Sequence, residues 1–471
     1  MPNKPVAGII LAAGKGTRMK SDLPKCAHPV CGLPMVELIA RAMKEARVER
    51  PIVVIGHGGE QIQKLLGDGY DYVWQREQHG TGHAAQLAME SLRDFVGSVL
   101  ISAGDTPLVD SSVFRELIAS HEASCATATV ATAIIDDATG YGRMVRDETG
   151  NVARIVEHKD ASHDEQKIRE VNAAIYCIDA QALNDHLPNL KNTNSQGEYY
   201  LTDIVAAISQ AGQGVNGCIF ADHAILLGVN DRWQLANADR ELRRRILKRH
   251  ALNGVTLLDI DTIVIGPDVQ IGQDTVLEAS TYLLGKTTVG RNCRIGPCTR
   301  LLDTTVGDDT TMTFSHADAA EVGSNVWVGP YAHLRPKTRM ADNTKVGNFV
   351  ELKNTSLGKG AKVNHLSYVG DASVGEETNV GAGTITCNYD GFTKSRTDIG
   401  AYAFIGSNST LVAPLRIGDG AMTAAGSVIN KDVPAEAGAF GRARQENKPE
   451  WAAQWRKQKS TSRSNNEASQ E

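Results

Sequence analysis

Residues 6–25 read Val-Ala-Gly-Ile-Ile-Leu-Ala-Ala-Gly-Lys-Gly-Thr-Arg-Met-Lys-Ser-Asp-Leu-Pro-Lys. The apolar run Val6 to Ala13 has the length of a buried strand and feeds directly into a glycine-rich loop. Gly14 and Gly16 let the loop backbone approach a ligand closely, and successive loop N–H groups can converge on an anion. Arg18 and Lys25 add two cations within reach of the same loop. Together they describe a pocket for a nucleoside triphosphate. The loop is not a Walker A loop, because Gly16 follows Lys15 where Ser or Thr is needed. Nor is it a dinucleotide fingerprint, because Met19 stands where a third small residue belongs.

The fixed positions from Leu11 to Lys25 resemble the signature of the sugar-nucleotide pyrophosphorylases, L-x-x-G-x-G-T-R-[ML]-x-x-x-x-P-K. Working outward, the chain up to about residue 230 alternates short apolar strands with helical stretches. Ile52–Ile55, Val99–Ser102, Ala126–Ile135 and Ala173–Ile178 are such strands. This alternation predicts an α/β domain, Rossmann-like, with a mainly parallel sheet covered on both faces. Ligands of such sheets sit at the carboxyl ends of strands. The glycine loop, Gly104-Asp105 and Asn172 all fall near strand ends.

From about residue 255 the grammar changes. An aliphatic residue followed by glycine recurs, as at Ile265, Ile271, Val289, Ile295, Val306, Val322, Val328, Val346, Val374, Val380, Ile399, Ile405 and Ile417. Many separations are six, twelve or eighteen. Period six predicts a parallel β-helix with the aliphatic residue pointing into the coil. A narrow prism has little room for rings, which fits an aromatic content of 5 % beside 45 glycines. The repeat resembles the hexapeptide acyltransferases, a likeness that implies a left-handed β-helix and a homotrimer. Loops are expected in the irregular stretches 307–321, 329–345 and 382–398. The boundaries read as 1–230 for the nucleotidyltransferase domain, 231–251 for a helical linker, 252–445 for the β-helix and 446–471 for a largely disordered tail. The linker helix carries a basic face, Arg240 to Arg249, that suits a solvated connecting arm.

The whole chain of 471 residues has a net charge of −6, which argues against a general nucleic-acid binder. It holds no run of 18 apolar residues, so no membrane span is expected. The N-terminus lacks the apolar region of a signal peptide. Eight cysteines without a C-x-x-C pair read as reduced thiols of a cytoplasmic protein.

Several residues suit the chemistry of nucleotidyl transfer. Asp105, after a buried strand, suits either a Mg²⁺ ligand or a helix N-cap. Gln75 and Gln78-His79-Gly80-Thr81 fit recognition of a uracil edge. Gly142, Glu157 and Asn172 suit a sugar pocket, whose hydroxyls need carboxylate and amide partners. Lys25 and Arg18 would neutralise charge on the phosphates, and Asn230 would return to join Asp105 on Mg²⁺. In the β-helix, Arg335 and Lys353 suit a sugar phosphate. His365 is either a structural histidine or a general base, which can take a proton near neutral pH.

The full set of motifs resembles the bacterial bifunctional enzymes that are both N-acetylglucosamine-1-phosphate uridyltransferases and glucosamine-1-phosphate N-acetyltransferases. The likeness runs from Val6 to Arg442. It includes Glu77-Gln78-x-Gly80-Thr81-Gly82-His83-Ala84, Ile155 to Ala161, Gly228-Val229-Asn230, His365-Leu366-x-Tyr368 and Thr384 to Gly391. It implies that Leu11, Ala12, Ala13, Gly14, Lys25, Gln75, Gly80 and Thr81 bind UTP. It places Ala103, Gly104, Gly142, Glu157 and Asn172 around the sugar nucleotide, and Asp105 and Asn230 on Mg²⁺. Arg335, Lys353, Tyr368 and Asn379 would bind glucosamine 1-phosphate, with His365 as base. Ala382, Asn388, Tyr389, Ser407, Ala425 and Arg442 would contact acetyl-CoA. Two positions depart from the pattern. Ala103 stands where a tyrosine is expected, and Ala173-Ala174 replaces Thr-Gly. A β-helix that merely scaffolds a single-activity pyrophosphorylase is the competing reading, and a non-catalytic assembly subunit is a third.

Overall fold

The computed structural model describes residues 4–48 and 50–467. Two compact units divide the chain: Met1–Asn253 with Val264–Val269, and Gly254–Ile263 with Gln270–Glu471.

The first unit is built on Val6–Leu11, which pairs in parallel with Ser98–Ala103 on one side and Ile52–Ile55 on the other. Asp71–Trp74 extends the sheet beyond Ile52–Ile55, again in parallel. The mainly parallel sheet is interrupted by one long strand, Glu170–Asp179, which runs antiparallel to both Ser98–Ala103 and Ala128–Ile134. Val215–Ile219 closes that edge. A hairpin, Arg143–Arg146 and Val152–Val156, branches from Glu170–Asp179 at Val171.

Successive strand residues point to opposite faces, so the central strands supply two cores. Ile10, Val53, Ile55 and Leu100 pack with Met35–Glu45 and Ser111–Ser124. Ile9, Val54, Val99 and Ile101 pack with Thr81–Glu90, Ala180–His186 and Asp203–Gln210. Burial on both faces is why these strands read as unbroken apolar runs.

Helix Arg232–Leu252 is capped by Asp231, which accepts from Gln234 N at 2.8 Å. It belongs with the first unit: Ala238 joins its core, and Leu235 and Leu242 pack against it. Its basic residues are only in part solvated. Arg243 donates to Asp239, and Arg245 donates to Glu241 and Asp222. Arg240, Arg244, Lys248 and Arg249 are exposed.

The second unit is a coil of short parallel strands. Along one face the register runs Leu277, Ile295, Met312, Val328, Val346, Val363, Val380, Ile405, Thr423. None of these side chains is more than 3 % exposed. Most successive partners lie 16 to 18 residues apart, three repeats of about six, as the Arg294↔Thr311, Thr311↔Trp327 and Trp327↔Lys345 pairs show. Each inward aliphatic contributes roughly 1.5–3 kcal/mol by burial.

Two expected loops are not loops. Residues 307–321 and 329–345 continue as strands Thr311–Met312, His316–Asp318, His333–Leu334 and Arg339–Met340. There Met312, Ala317, Leu334 and Met340 fill the inward positions without a following glycine. The third stretch does leave the coil: Asn379 pairs with Phe404, so this turn carries a surplus that projects as residues 388–396. The tail differs as well. Trp451–Glu467 form a helix instead of a disordered segment. Ala452, Ala453, Gln454, Arg456, Lys457 and Lys459 are good helix formers, and Trp451 stacks on Trp455 one turn later. Residues 468–471 of the expected tail lie outside the described residues.

Buried hydroxyls hold the corners. Thr310 is 0 % exposed. Its Oγ1 donates toward Gly323 O at 3.0 Å and accepts from Val326 N at 3.2 Å, one coil further on. Thr275 does the same with Gly290 O and Cys293 N. Thr310→Val keeps the shape but strips the bond from a buried amide. It is expected to cost about 1–3 kcal/mol, read as a lowered denaturation midpoint for the second unit.

Candidate functional site

In the first unit the strand ends converge on a cavity of about 540 Å³. Leu11, Ala13, Gly14, Lys25, Gln75, Gly80, Thr81, Ala103, Asp105, Glu157 and Asn172 line it. Ala12 is buried beneath it. Gly142 stands behind Glu157, its carbonyl accepting from Asn172 N at 2.9 Å.

The glycines have separate tasks. Gly16 has φ 59°, and a Cβ there would lie 2.5 Å from Lys25 Cβ. Glycine at 16 therefore sets where Lys25 stands. A Cβ at Gly14 would meet no protein atom, so room at 14 is left toward the cavity. At the far wall Gly80 has φ 107°, and its Cβ would strike Tyr199 O.

Lys25 is the electrostatic centre. Its ammonium pairs with Asp105 and donates to Asn230 Oδ1 at 2.8 Å. Arg18 donates to the same Asn230 oxygen at 2.9 Å. Asn230 arrives there because Val229 N donates to Asp105 O at 2.8 Å, and its own amide donates to Gln234 Oε1 at 2.7 Å. Gly104 N donates to Leu11 O at 2.9 Å, which ties the two strand ends together. Asp105 caps no helix; Asp110 caps Ser111–Ser124. Of the two tasks that suit an aspartate at 105, the helix cap is the one the structure removes.

One carboxylate and one amide oxygen thus converge on a point that a cation, the Lys25 ammonium, already occupies. Hard divalent cations take such oxygen donors and share the rest of their sphere with phosphate and water. The donor set fits a metal bound jointly with a nucleotide, with the lysine as its alternative there. Among the described residues no group of three or more His, Cys, Asp or Glu forms a metal cage.

The wall formed by Glu157 and Asn172 contains partners that the sequence did not single out. Glu157 Oε1 accepts from Thr202 Oγ1 at 3.1 Å. Burial pushes the Glu157 carboxyl up, the Thr202 bond pulls it back, and Asp203 and Asp160 add to the rise. Asn172 Nδ2 donates to Tyr176 OH at 2.7 Å across an irregularity in the strand. At its apex Ala174 has φ 57°. This is the position where the resemblance expects glycine. Thr202 follows the Gln196-Gly197-Glu198-Tyr199-Tyr200 motif and Tyr176 follows Asn172 by four residues, but that they bond Glu157 and Asn172 is seen only in the fold.

In the second unit His365 ends strand Lys362–His365, and its Nδ1 lies 2.5 Å from Asn348 Oδ1 on the preceding coil. With Nδ1–H donated to Asn348, Nε2 is left as an acceptor. Backbone bonds then stack one corner over the next. Gly383 N donates to His365 O, Asn408 N to Ala382 O, and Gly426 N to Ser407 O. His365, Ala382, Ser407 and Ala425 therefore lie along one edge, climbing about 4.8 Å per coil. Gly441, next to Arg442, stacks on Ser427 and Val428 at the last coil. Arg335 pairs with Glu351 at 2.8 Å, and Glu351 is in register with Tyr368. Lys353 is in register with Gly370, and Asn379 with Lys362. Tyr389 opens the projecting loop and is exposed. Asn348 lies in a stretch that departs from the hexapeptide rhythm, and its pairing with His365 is seen only in the fold.

Residues 8–168 match the MobA-like NTP transferase domain, and residues 268–303 match the six-repeat bacterial transferase hexapeptide. Curated relatives carry the name Bifunctional protein GlmU. The one from Brevibacillus brevis is 47 % identical over 95 % of this chain and 97 % of its own. The one from Carboxydothermus hydrogenoformans is 48 % identical over 94 % of this chain and 99 % of its own. The chain belongs to the bifunctional GlmU family. It is an enzyme with a nucleotidyltransferase unit and a hexapeptide acyltransferase unit, and the chemistry of its GlmU nucleotidyltransferase unit depends on a divalent cation.

Two outcomes are expected around Glu157 and Ala174. Ala174→Gly relieves a left-handed alanine and raises stability by about 1 kcal/mol, measured by denaturant titration. Glu157→Gln removes a carboxyl whose proton the folded state holds more tightly than the unfolded chain. Wild-type stability is therefore lost as pH rises from the unfolded carboxyl value through the raised folded one. The variant should gain on the wild type in Tm as pH rises through and above the ordinary carboxylate range; a gap independent of pH would contradict the shift.

Proposed function

We propose that the chain makes UDP-N-acetylglucosamine by two transfers, one in each unit. The supporting observation is the edge of His365, Ala382, Ser407 and Ala425, beside a face that carries Lys353 and the Arg335–Glu351 pair. A histidine at the start of a four-coil track suits a long, extended thioester such as acetyl-CoA lying along the coils. A plain scaffold needs no such track.

In the second unit, the amine of glucosamine 1-phosphate attacks the thioester carbonyl. His365 Nε2 takes the amine proton, the C–S bond breaks, and the thiol of coenzyme A leaves. Asn348 holds the imidazole in the tautomer that leaves Nε2 free. Arg335 and Lys353 take the sugar phosphate, and Tyr368 and Asn379 its ring. Asn388, Tyr389, Ser407, Ala425 and Arg442 hold the cofactor.

In the first unit, a phosphate oxygen of the acetylated sugar attacks the α-phosphorus of UTP, and the bond to the leaving pyrophosphate breaks. No covalent enzyme intermediate is needed, so alignment and charge neutralisation carry the rate. Gln75 spends Nε2 on Gly80 O at 2.9 Å, and its Oε1 is an acceptor for the uracil N–H. Lys25 and Arg18 face the phosphates. Glu157 and Asn172 take the sugar hydroxyls and acetamido group. The divalent cation is Mg²⁺ held by Asp105 and Asn230, and it supplies charge neutralisation at the phosphates when bound. The working form is a homotrimer in the cytoplasm; no described helix is long and apolar enough to cross a membrane.

The test is one reaction mixture with glucosamine 1-phosphate, acetyl-CoA, UTP and Mg²⁺, analysed for UDP-N-acetylglucosamine. Product is expected there and not in a tube lacking acetyl-CoA. Lys25→Ala should slow uridylyl transfer by roughly 10²–10³-fold and spare acetylation. His365→Ala should slow acetylation by about 10²–10⁴-fold and spare uridylyl transfer. Loss of both activities in either variant would overturn the two-site reading.

A further inference from the structure

Residues 388–396 project from an otherwise regular coil, yet their base is firmly held. Ser395 N donates to Asn388 O at 2.9 Å and closes the neck. Inside the loop Asp390 accepts from the amides of Phe392 and Thr393. The tip residue Phe392 is 93 % exposed, whereas Asn388 is 8 % exposed. A buried amide at the base of an exposed loop needs a partner, and the partner is Asp371 on the preceding coil.

Both carboxylate oxygens of Asp371 are used. Oδ1 accepts from Asn354 Nδ2 at 2.7 Å, and Oδ2 accepts from Asn388 Nδ2 at 2.5 Å. Asn354 and Asp371 occupy the same corner of adjacent coils, each with φ 48°. Asn354, Asp371 and Asn388 thus form one column, in which an acceptor-only group sits between two amide donors. Burial raises the Asp371 carboxyl, but the two amides, with Lys353 and Lys394 nearby, bring it below the usual carboxylate range.

We propose that Asp371 is a positioning residue for acyl transfer: through Asn388 it fixes the base of the 388–396 loop, and so the placement of Asn388 and Tyr389 against acetyl-CoA. It acts through Asn388, which its carboxylate holds. This inference rests on the acetyltransferase reading for its consequence, though not for the anchor itself. What the column requires at 371 is an acceptor oxygen directed at Asn388, not a negative charge.

Three variants of the full-length protein decide it. Asp371→Ala leaves Asn388 Nδ2 buried without a partner. Its KM for acetyl-CoA should rise about ten-fold, with the KM for glucosamine 1-phosphate within about two-fold and uridylyl transfer unchanged as a control on folding. Asp371→Asn keeps an oxygen for Asn388, and Asn354 can turn its amide to accept, so its KM for acetyl-CoA should stay within about three-fold of wild type. Asp371→Leu should behave like alanine. Hydrogen exchange at residues 389–396 should accelerate in the alanine and leucine variants and not in the asparagine variant. An unchanged KM and unchanged exchange in Asp371→Ala would overturn the proposal. An asparagine variant as impaired as alanine would also overturn it, because charge itself would then be required. If the wild type transferred no acetyl group, the acetyltransferase reading would fall, while the exchange data would still decide whether Asp371 anchors the loop.

Discussion

Each turn of the second unit must return to the register of the turn below it. The interior is a single stack of aliphatic side chains, and a side chain one residue out of step would point to solvent. This condition explains the near-constant 16 to 18 residues between partners such as Arg294 and Thr311. It also explains the buried threonines, whose hydroxyls bind backbone groups across coils where the chain bends. The proposed acetyl site depends on that register as well. His365 meets Asn348, and Ala382 follows His365, only because the coils agree in length.

The first unit meets a different constraint. Its site gathers where parallel strands end, and the pieces come from distant parts of the chain. Leu11, Asp105 and Asn230 are brought together by main-chain bonds, Gly104 to Leu11 and Val229 to Asp105. The side chains then meet on Lys25. Glycine at 16 keeps that lysine where the oxygens converge, so a residue without a side chain sets the geometry of the most charged group in the cavity.

Much of this was legible in the sequence, for reasons that differ by region. The glycine loop is a contiguous motif, and its neighbours in sequence are its neighbours in space. The aliphatic-glycine dyads revealed the coil because inward position and bend coincide there. Where Met312, Ala317 and Leu334 fill the interior with no glycine following, the same pattern misled and two coils read as loops. Buried Thr275 and Thr310 were invisible, since a hydroxyl residue reads as surface until its coil partner is known. Thr202, Asn348 and Asp371 show their tasks only in the fold, because each bonds a residue 17 or more positions away, and Tyr176 does so because a bulge in its strand turns it to Asn172. Polar composition alone does not announce the helix Trp451–Glu467, although the individual residues favour helix.

The edge that begins at His365 runs toward the last coils of the stack. In a one-dimensional array an inner repeat has two neighbours, and a terminal repeat has one. Fraying therefore begins at the ends, and the coil bearing Gly438–Ala439 is such an end. A ligand lying along Ser407, Ala425 and Arg442 would act as the missing neighbour. Its binding free energy would then appear as resistance of that end to unfolding. Occupancy of the proposed acetyl site and the mechanical integrity of the terminal repeats would then be two readings of one quantity.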